Sequence, residues 1–425
     1  MNLKIKIRKD YTSLLLIFLF LMENCFYLIN TSKINILGKF AYTDIWMIFL
    51  ILVLLYAFFK YRKAKTTYQY SYIILALCLL TFTSAIQQNR ITDQPLMLGF
   101  RPQRLYFVLL LSYFPIRKLI GSKKLDIERL IYGIYKLGIM SALLYILQVL
   151  VYPDARFIYA IINNSNGGTR IYIDSTVIHV AGMIALYQYC KKYHIKYLLS
   201  YIICFCYVFF VSRGRLELLA YLASSFVGVI FTRNFTKKRF LIVLAVIIGG
   251  FIFLNTSYAD TLFNSIRVAQ TATTAQGNTM AIRYEGRELY MSQMSLSLQS
   301  MLFGCGYPNL TYSKAVTRAG LNRNIGLNDN GIFGFAYIYG LIGVAVIIVL
   351  FVKLGWNAWK YYKKTSNNIF IMYVVMQILL AYNIIFWYWK ADGTFIMVLM
   401  LAITEELTCR RMKKHIGEQQ WIRER

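Results

Sequence analysis

Long apolar runs recur along the chain, and short polar segments rich in lysine and arginine separate them. A run of about twenty apolar residues matches the bilayer core when wound as an α-helix. Twelve spans are expected, near 12–30, 42–59, 69–87, 104–118, 131–152, 171–190, 197–211, 216–232, 239–255, 331–352, 368–388 and 393–408. Proline is rare, five in all, so the spans should be mostly unbroken. The expectation is an all-α polytopic membrane protein, a single integral membrane domain over 1–425. One connection, 256–330, is far longer than the others, and long irregular loops are usually functional or disordered.

Basic residues divide the connections into two sides. One side carries 30: those at 4–9, 60–65, 117–129, 191–196, 233–239, 353–364 and 410–425; the other side carries 16, and Lys136 falls inside a span. By the positive-inside rule the richer side is cytoplasmic, which puts both termini inside and the large loop outside. Composition agrees: 58% of residues are hydrophobic and 15% charged, with a mean hydropathy of +0.51. A soluble domain carries about 25% charged residues, so soluble enzymes and transcription factors are excluded. The net charge of +29 then reflects topology rather than nucleic-acid binding. The seven cysteines form no C-x-x-C, the first apolar run lacks a cleavable signal's small-residue site, and no fixed-period repeat stands out.

The kind of cation differs between the two sides. Of the 30 cytoplasmic residues 20 are lysine, whereas 12 of the 16 outer ones are arginine. These are Arg90, Arg101, Arg104, Arg156, Arg170, Arg213, Arg215, Arg267, Arg283, Arg287, Arg318 and Arg323. Topology needs positive charge of either kind. The planar guanidinium fork matches phosphate oxygens and keeps its charge in a partly dry site, so an outer phosphate or pyrophosphate ligand is indicated. Internal salt bridging and lipid-headgroup contact are the alternative.

Four segments are candidates for that chemistry. Val211-Ser-Arg-Gly-Arg-Leu-Glu217 leaves little room between two spans, so Arg213 and Arg215 sit at the outer boundary, facing a wet cavity or a partner. A helical pair between Arg213 and Glu217 is the structural alternative. In Arg283-Tyr-Glu-Gly-Arg287-Glu288, Arg283 and Arg287 share a helix face and oppose the macrodipole, unless Glu285 and Glu288 neutralise them. An apolar stripe follows: Met291, Met294, Leu298, Met301 and Leu302, expected as one short amphipathic helix. Phe303-Gly-Cys-Gly-Tyr-Pro308 reads as its stop. Asn328-Asp-Asn-Gly331 opens the next span, with Asp329 as its N-cap or as a base at the membrane mouth. Glu23, Lys136, Asp174 and His179 fall in apolar runs, where ionisable groups mark function by default. No histidine cluster, Walker loop or dinucleotide fingerprint occurs, so neither a metal nor a nucleotide cofactor is expected.

Three segments together resemble the bacterial O-antigen and capsule polymerase/ligase superfamily: Phe210-Val-Ser-Arg-Gly-Arg-Leu-Glu-Leu-Leu219, Arg283 through Gly306, and Asn328-Asp-Asn-Gly331 through Tyr339-Gly-Leu-Ile-Gly343. Their order and coarse spacing fit, over roughly the second half of the chain. The resemblance implies a GT-C-like glycosyltransferase of the bacterial inner membrane, joining undecaprenyl-pyrophosphate-linked glycans at the outer face. It implies Arg213 or Arg215 and Arg283 or Arg287 as catalytic pyrophosphate contacts, and Asp329, Glu285 or Glu288 is expected to take the acceptor proton. Arg170, Arg267, Glu285, Glu288, Arg318 and Arg323 would contact substrate, in a membrane shared with a chain-length regulator and a flippase. The ligase branch places a histidine in the large loop, and this chain has none between 256 and 330, which favours repeat-unit polymerase over O-antigen ligase. A flippase for the same lipid-linked units is the rival from another class; it should show repeat symmetry and broken helices.

Overall fold

The computed structural model describes residues 11–36, 40–165, 168–173, 176–232, 279–382 and 385–423. In chain order its helices are α1 (Tyr11–Met22), α2 (Tyr42–Lys60), α3 (Ser71–Thr92), α4 (Leu96–Phe100), α5 (Arg104–Leu111), α6 (Tyr113–Gly121), α7 (Ile127–Val151), α8 (Thr176–Lys192), α9 (Ile195–Cys206) and α10 (Arg215–Ile230). Then come α11 (Thr279–Ser295), α12 (Leu298–Phe303), α13 (Ser313–Arg318), α14 (Gly331–Thr365), α15 (Ile369–Leu380), α16 (Phe386–Trp389) and α17 (Ala391–Arg423). Two short antiparallel ribbons complete the described chain: β1 (Asn35–Ile36) with β2 (Phe40–Ala41), and β3 (Ile162–Ser165) with β4 (Gly168–Ile171).

The expected span at 239–255 lies outside the described residues, as do Arg267, Asp174 and the first part of the large loop. Each other expected span overlaps a helix, but α1 ends at Met22 rather than near 30, and α15 ends at Leu380 rather than near 388. Five helical segments are long and apolar enough to cross a bilayer: Tyr42–Lys60, Ser71–Thr92, Ile127–Val151, Ile195–Ser212 and Asn328–Thr365. Three further apolar helices, Tyr11–Met22, Leu216–Ile230 and Ile369–Leu380, are shorter. Large apolar side chains also cover the outside of the bundle, among them Leu52 and Phe59 on α2, Leu79 on α3 and Leu150 on α7. Water would not tolerate so continuous an apolar exterior, whereas lipid requires it. The chain is an all-α membrane protein.

Local chemistry explains where the helices depart from expectation. The span near 104–118 is two helices because Pro115 lacks an N–H and its ring crowds the carbonyl of Leu111, where α5 ends. Helix α14 runs through the expected cytoplasmic loop at 353–364. There Lys360 and Lys363 lie over the rings of Trp356 and Trp359, 5.1 and 5.3 Å from their centroids, so each cation sits on the aromatic one turn before it. The stripe Met291–Leu302 is not one helix face. Ser297 ends the run by capping α12, its Oγ accepting from Ser300 N–H at 3.0 Å, and Met291, Leu298 and Met301 are exposed. The buried side of α11 is instead Gly286, Tyr290 and Met294, one residue per turn.

The Phe303–Pro308 segment does more than stop a helix. It inserts against α14 and α3 through its backbone. Cys305 N–H donates to Tyr337 O at 2.6 Å and Gly306 N–H to Ile338 O at 3.2 Å. These carbonyls are available because α14 is interrupted at Gly340, at φ +69° and ψ −172°. A β-carbon on Gly340 would stand 2.2 Å from Leu302 O, and one on Gly306 would stand 2.2 Å from Ser84 O. Gln88, with its amide nitrogen turned inward, donates to Cys305 O at 2.7 Å. Buried non-helical backbone is tolerated here because another segment of the protein satisfies it.

At the opposite end of the bundle the expected cytoplasmic Arg117 is buried. It donates to Glu406 at 2.9 Å and Glu405 at 3.3 Å on α17, and Tyr113 donates to Glu405 as well. This network ties α6 to α17 at the end remote from the large loop.

Candidate functional site

The Ser-Arg-Gly-Arg turn is as tight as its sequence requires. Helix α9 widens into a π turn over Tyr207–Ser212, Arg213 N–H closes on Val208 O at 3.2 Å, and Arg213 takes a left-handed φ of +52°. Helix α10 then begins at Arg215. Arg213 is outside both helices, so the helical pair with Glu217 does not form, and its Nε donates to Phe210 O at 3.2 Å. Glu217 turns inward instead. Its Oε1 lies 2.7 Å from His179 Nε2 on α8, and its Oε2 accepts from Ser212 Oγ. His179 is fully buried and Glu217 nearly so. The carboxylate stands between serine and histidine, so no serine–base pair is assembled, and the trio acts as a brace on the turn. Arg170 on β4 belongs to the same corner: β4 lies beside the π turn, and its guanidinium stacks over Tyr172 at 4.6 Å.

The second group of arginines lies over the N-terminal end of α14. Helix α11 starts at Thr279, so Arg283 falls beyond its first N–H groups and the dipole argument weakens. Glu285 does not neutralise Arg283 or Arg287. It pairs with Arg323 at 3.2 Å, with both side chains more than half exposed, a pairing of little energetic weight. Glu288 is exposed. Arg287 donates from Nη1 to Tyr382 Oη at 2.7 Å, and its guanidinium lies 4.4 Å from the Tyr382 ring and 5.2 Å from that of Phe333. This aromatic seat fixes the plane of the fork. Arg318, at the end of α13, holds down the Cys305 thiol, which burial nonetheless pushes up to about 11.

Asp329 is not the N-cap of α14; that position is Asn330, and no side chain caps it. The Asp329 carboxylate is exposed on the turn Asn328–Asn330, among the described residues without hydrogen bond or ion pair. It raises the phenol of Tyr290, which burial has already pushed up.

Helix packing directs the two arginine segments toward the same end of the bundle. Helices α10 and α15 run antiparallel, with Asn368 donating to Gly228 O and Gly228 against Met372. Arg215 is thirteen residues before Gly228, and Tyr382 is thirteen after Ile369. At 1.5 Å per residue α10 rises about 20 Å from Gly228 back to Arg215, and α15 rises about 12 Å from Met372 to its end at Leu380, two residues before the tyrosine that seats Arg287. Beside Asp329 opens a cavity of about 510 Å³, walled by Arg101, Tyr307, Leu321, Gly326, Asn328 and Trp389 among others.

Sequence reasoning missed Tyr382, Trp389 and the His179–Glu217 contact. The first two sit in the aromatic-rich segment 382–389, which composition alone assigns to the interfacial belt. The third joins residues 38 apart on neighbouring helices and left no local signal. Among the described residues no three histidine, cysteine, aspartate or glutamate side chains gather as a metal site. No protein-family model matches the chain, and no curated protein matches it either.

Proposed function

We propose that this protein is a lipid-linked glycan polymerase of the bacterial inner membrane. It would cross the membrane twelve times in a GT-C-like arrangement, with both termini in the cytoplasm and 256–330 as its large outer loop. Its reaction joins undecaprenyl-pyrophosphate-linked repeat units into a surface polysaccharide. The observation that carries this reading is a pair of arginine segments at the same end of the bundle, one of them near an exposed carboxylate and a cavity. Arg287 is oriented by Tyr382 and Phe333, and Arg213 is braced in a left-handed turn by Glu217. Guanidinium forks held this way suit a pyrophosphate whose charge grows as it leaves.

In the proposed mechanism the growing glycan on its lipid pyrophosphate is the donor. A hydroxyl of the next lipid-linked unit attacks the donor's anomeric carbon. The glycosidic bond forms as the bond to the pyrophosphate breaks, and the departing charge is taken up by Arg213, Arg215, Arg283 and Arg287. Asp329 accepts the hydroxyl proton. Glu288 and Glu285, the latter in a weak exposed pair with Arg323, are the other carboxylates of this segment. Direct displacement inverts the anomeric configuration. Arg170, Arg318 and Arg323 flank the site as substrate contacts, and a chain-length regulator and a flippase would act beside it.

One observation favours the flippase as the second reading: α14 is interrupted at Gly340, and broken helices are a transporter feature. The Phe303–Pro308 segment fills that interruption, which argues for a fixed joint rather than a moving one. Purified protein in proteoliposomes, supplied with lipid-linked repeat units on its outer side, decides between them. Longer products support the polymerase. Translocation without lengthening supports the flippase.

A further inference from the structure

The cavity beside Asp329 has a composition that selects its ligand. Its aromatic wall is Tyr307 and Trp389, with centroids 6.2 Å apart and planes inclined at 49°. Leu98, Leu310 and Leu321 add apolar surface. Most polar groups at its edge are already committed. Arg104 is held by Asp44, at 3.1 Å from Nε and 2.5 Å from Nη2. Asn309 donates to Leu98 O at 2.8 Å and accepts from Thr311 N–H and Oγ at 2.9 and 2.7 Å. Two groups at the rim remain uncommitted, the exposed guanidinium of Arg101 and the exposed amide of Asn328, neither with a side-chain partner among the described residues, and within the wall the buried Trp389 Nε1–H has no hydrogen-bond partner among them either.

An aromatic wall with one amide and one guanidinium at the rim is suited to a sugar. A pyranose ring offers an apolar C–H face for the rings and hydroxyls for the polar pair. A bare hydrocarbon chain would leave both polar groups without partners. A bare phosphate would meet one uncommitted cation against a mostly apolar wall. The volume lies within the range of small-ligand sites, about 300–1,000 Å³. Asn328 and Gly326 both line the cavity, and a β-carbon on Gly326 would stand 2.9 Å from Asp329 Oδ2. A sugar held here presents its hydroxyls beside that carboxylate.

We propose that this cavity binds the acceptor glycan through its terminal sugar residues, with Trp389 and Tyr307 as the stacking surface and Arg101 and Asn328 as hydroxyl ligands. The assignment of the sugar as acceptor rests on the polymerase reading; the saccharide site itself does not. The probe is the free oligosaccharide released by mild acid from the host's own lipid-linked repeat unit, which carries no pyrophosphate. It is titrated calorimetrically into the full-length protein in nanodiscs. Trp389→Ala is expected to weaken binding about tenfold, Trp389→Phe much less, and Arg101→Gln severalfold. Arg101 is exposed, so its variant keeps a readout even if Trp389→Ala fails to fold. Equal affinity in wild type and Arg101→Gln, together with equal affinity in whichever Trp389 variant folds, overturns the site. If wild type binds the oligosaccharide through Trp389 but never lengthens glycans, the saccharide site stands and the polymerase reading fails. If lengthening proceeds with an unchanged acceptor KM in Arg101→Gln and Trp389→Phe, the site alone fails.

Discussion

Replacing Gly340 with alanine tests the joint that fixes the arginine-bearing helices to the membrane bundle. Gly340 stands at φ +69° and ψ −172°, a region open essentially to glycine, and holding another residue there costs about 1–3 kcal/mol. The added methyl would meet backbone, 2.2 Å from Leu302 O and 2.5 Å from Gly304 N, with no flexible side chain to move aside. Overpacking of that kind costs a further 1–3 kcal/mol or so. Together the expected loss is roughly 2–6 kcal/mol. Gly355→Ala on the same helix is the control: its new methyl meets only Val374 Cγ1 at 3.8 Å, and alanine gains about 0.5–1 kcal/mol over glycine in a helix interior. Thermal melts of the two variants in nanodiscs should therefore move in opposite directions. Because Leu302–Gly306 forms the end of α12 and the turn after it, Gly340→Ala should also shorten glycans where Gly355→Ala does not. Matching melts for wild type and Gly340→Ala would refute the interlock.

Other consequences follow from particular contacts. Glu217→Ala removes one partner of the buried His179 and the acceptor of Ser212, and should cost about 1–3 kcal/mol in a denaturation series, with Glu217→Gln milder; equal stability of wild type and Glu217→Ala would remove the brace. Arg117→Met leaves Glu405 and Glu406 without their cation, and the melt should fall by the equivalent of about 3–5 kcal/mol. The Cys305 thiol is pushed from 9.0 up to about 11, so it stays protonated through pH 9 and holds on the order of a hundredfold less thiolate at pH 8 than an ordinary cysteine. Maleimide labelling at Cys305 should be slow and rise only toward pH 11, and Arg318→Ala should slow it further because the lowering guanidinium is gone. Fast labelling at pH 7 would contradict that burial.

The bundle was legible because apolar runs and lysine-rich connections are local signals; α2 and α7 fall within a few residues of their expected bounds. Helix ends were less so. Hydropathy stops at Val352, but the backbone of α14 continues to Thr365, because lysines one turn after tryptophans are comfortable in a helix outside the bilayer. Four glycines, 331, 334, 340 and 343, stand in the first part of that helix, where small residues allow close packing. Which of them breaks it depends on Leu302–Gly306, a partner that no local pattern reveals. The same holds at the site. The arginines were readable as a set, from their preference for one side. Their seats were not, since Tyr382 lies 95 residues from Arg287 and His179 lies 38 from Glu217.

The central claim is that these outer arginines serve glycan lengthening. Its most direct test is glycan length in cells lacking this gene and complemented at matched protein levels with wild type, Arg213→Ala, Arg215→Ala, Arg283→Ala, Arg287→Ala or Arg287→Lys. Exported glycans of a single repeat unit are predicted for the alanine variants. Arg287→Lys should give intermediate lengths, since it keeps the charge and loses the planar fork. Full-length glycan in every arginine variant, or repeat units retained on the cytoplasmic leaflet without this gene, would contradict the account.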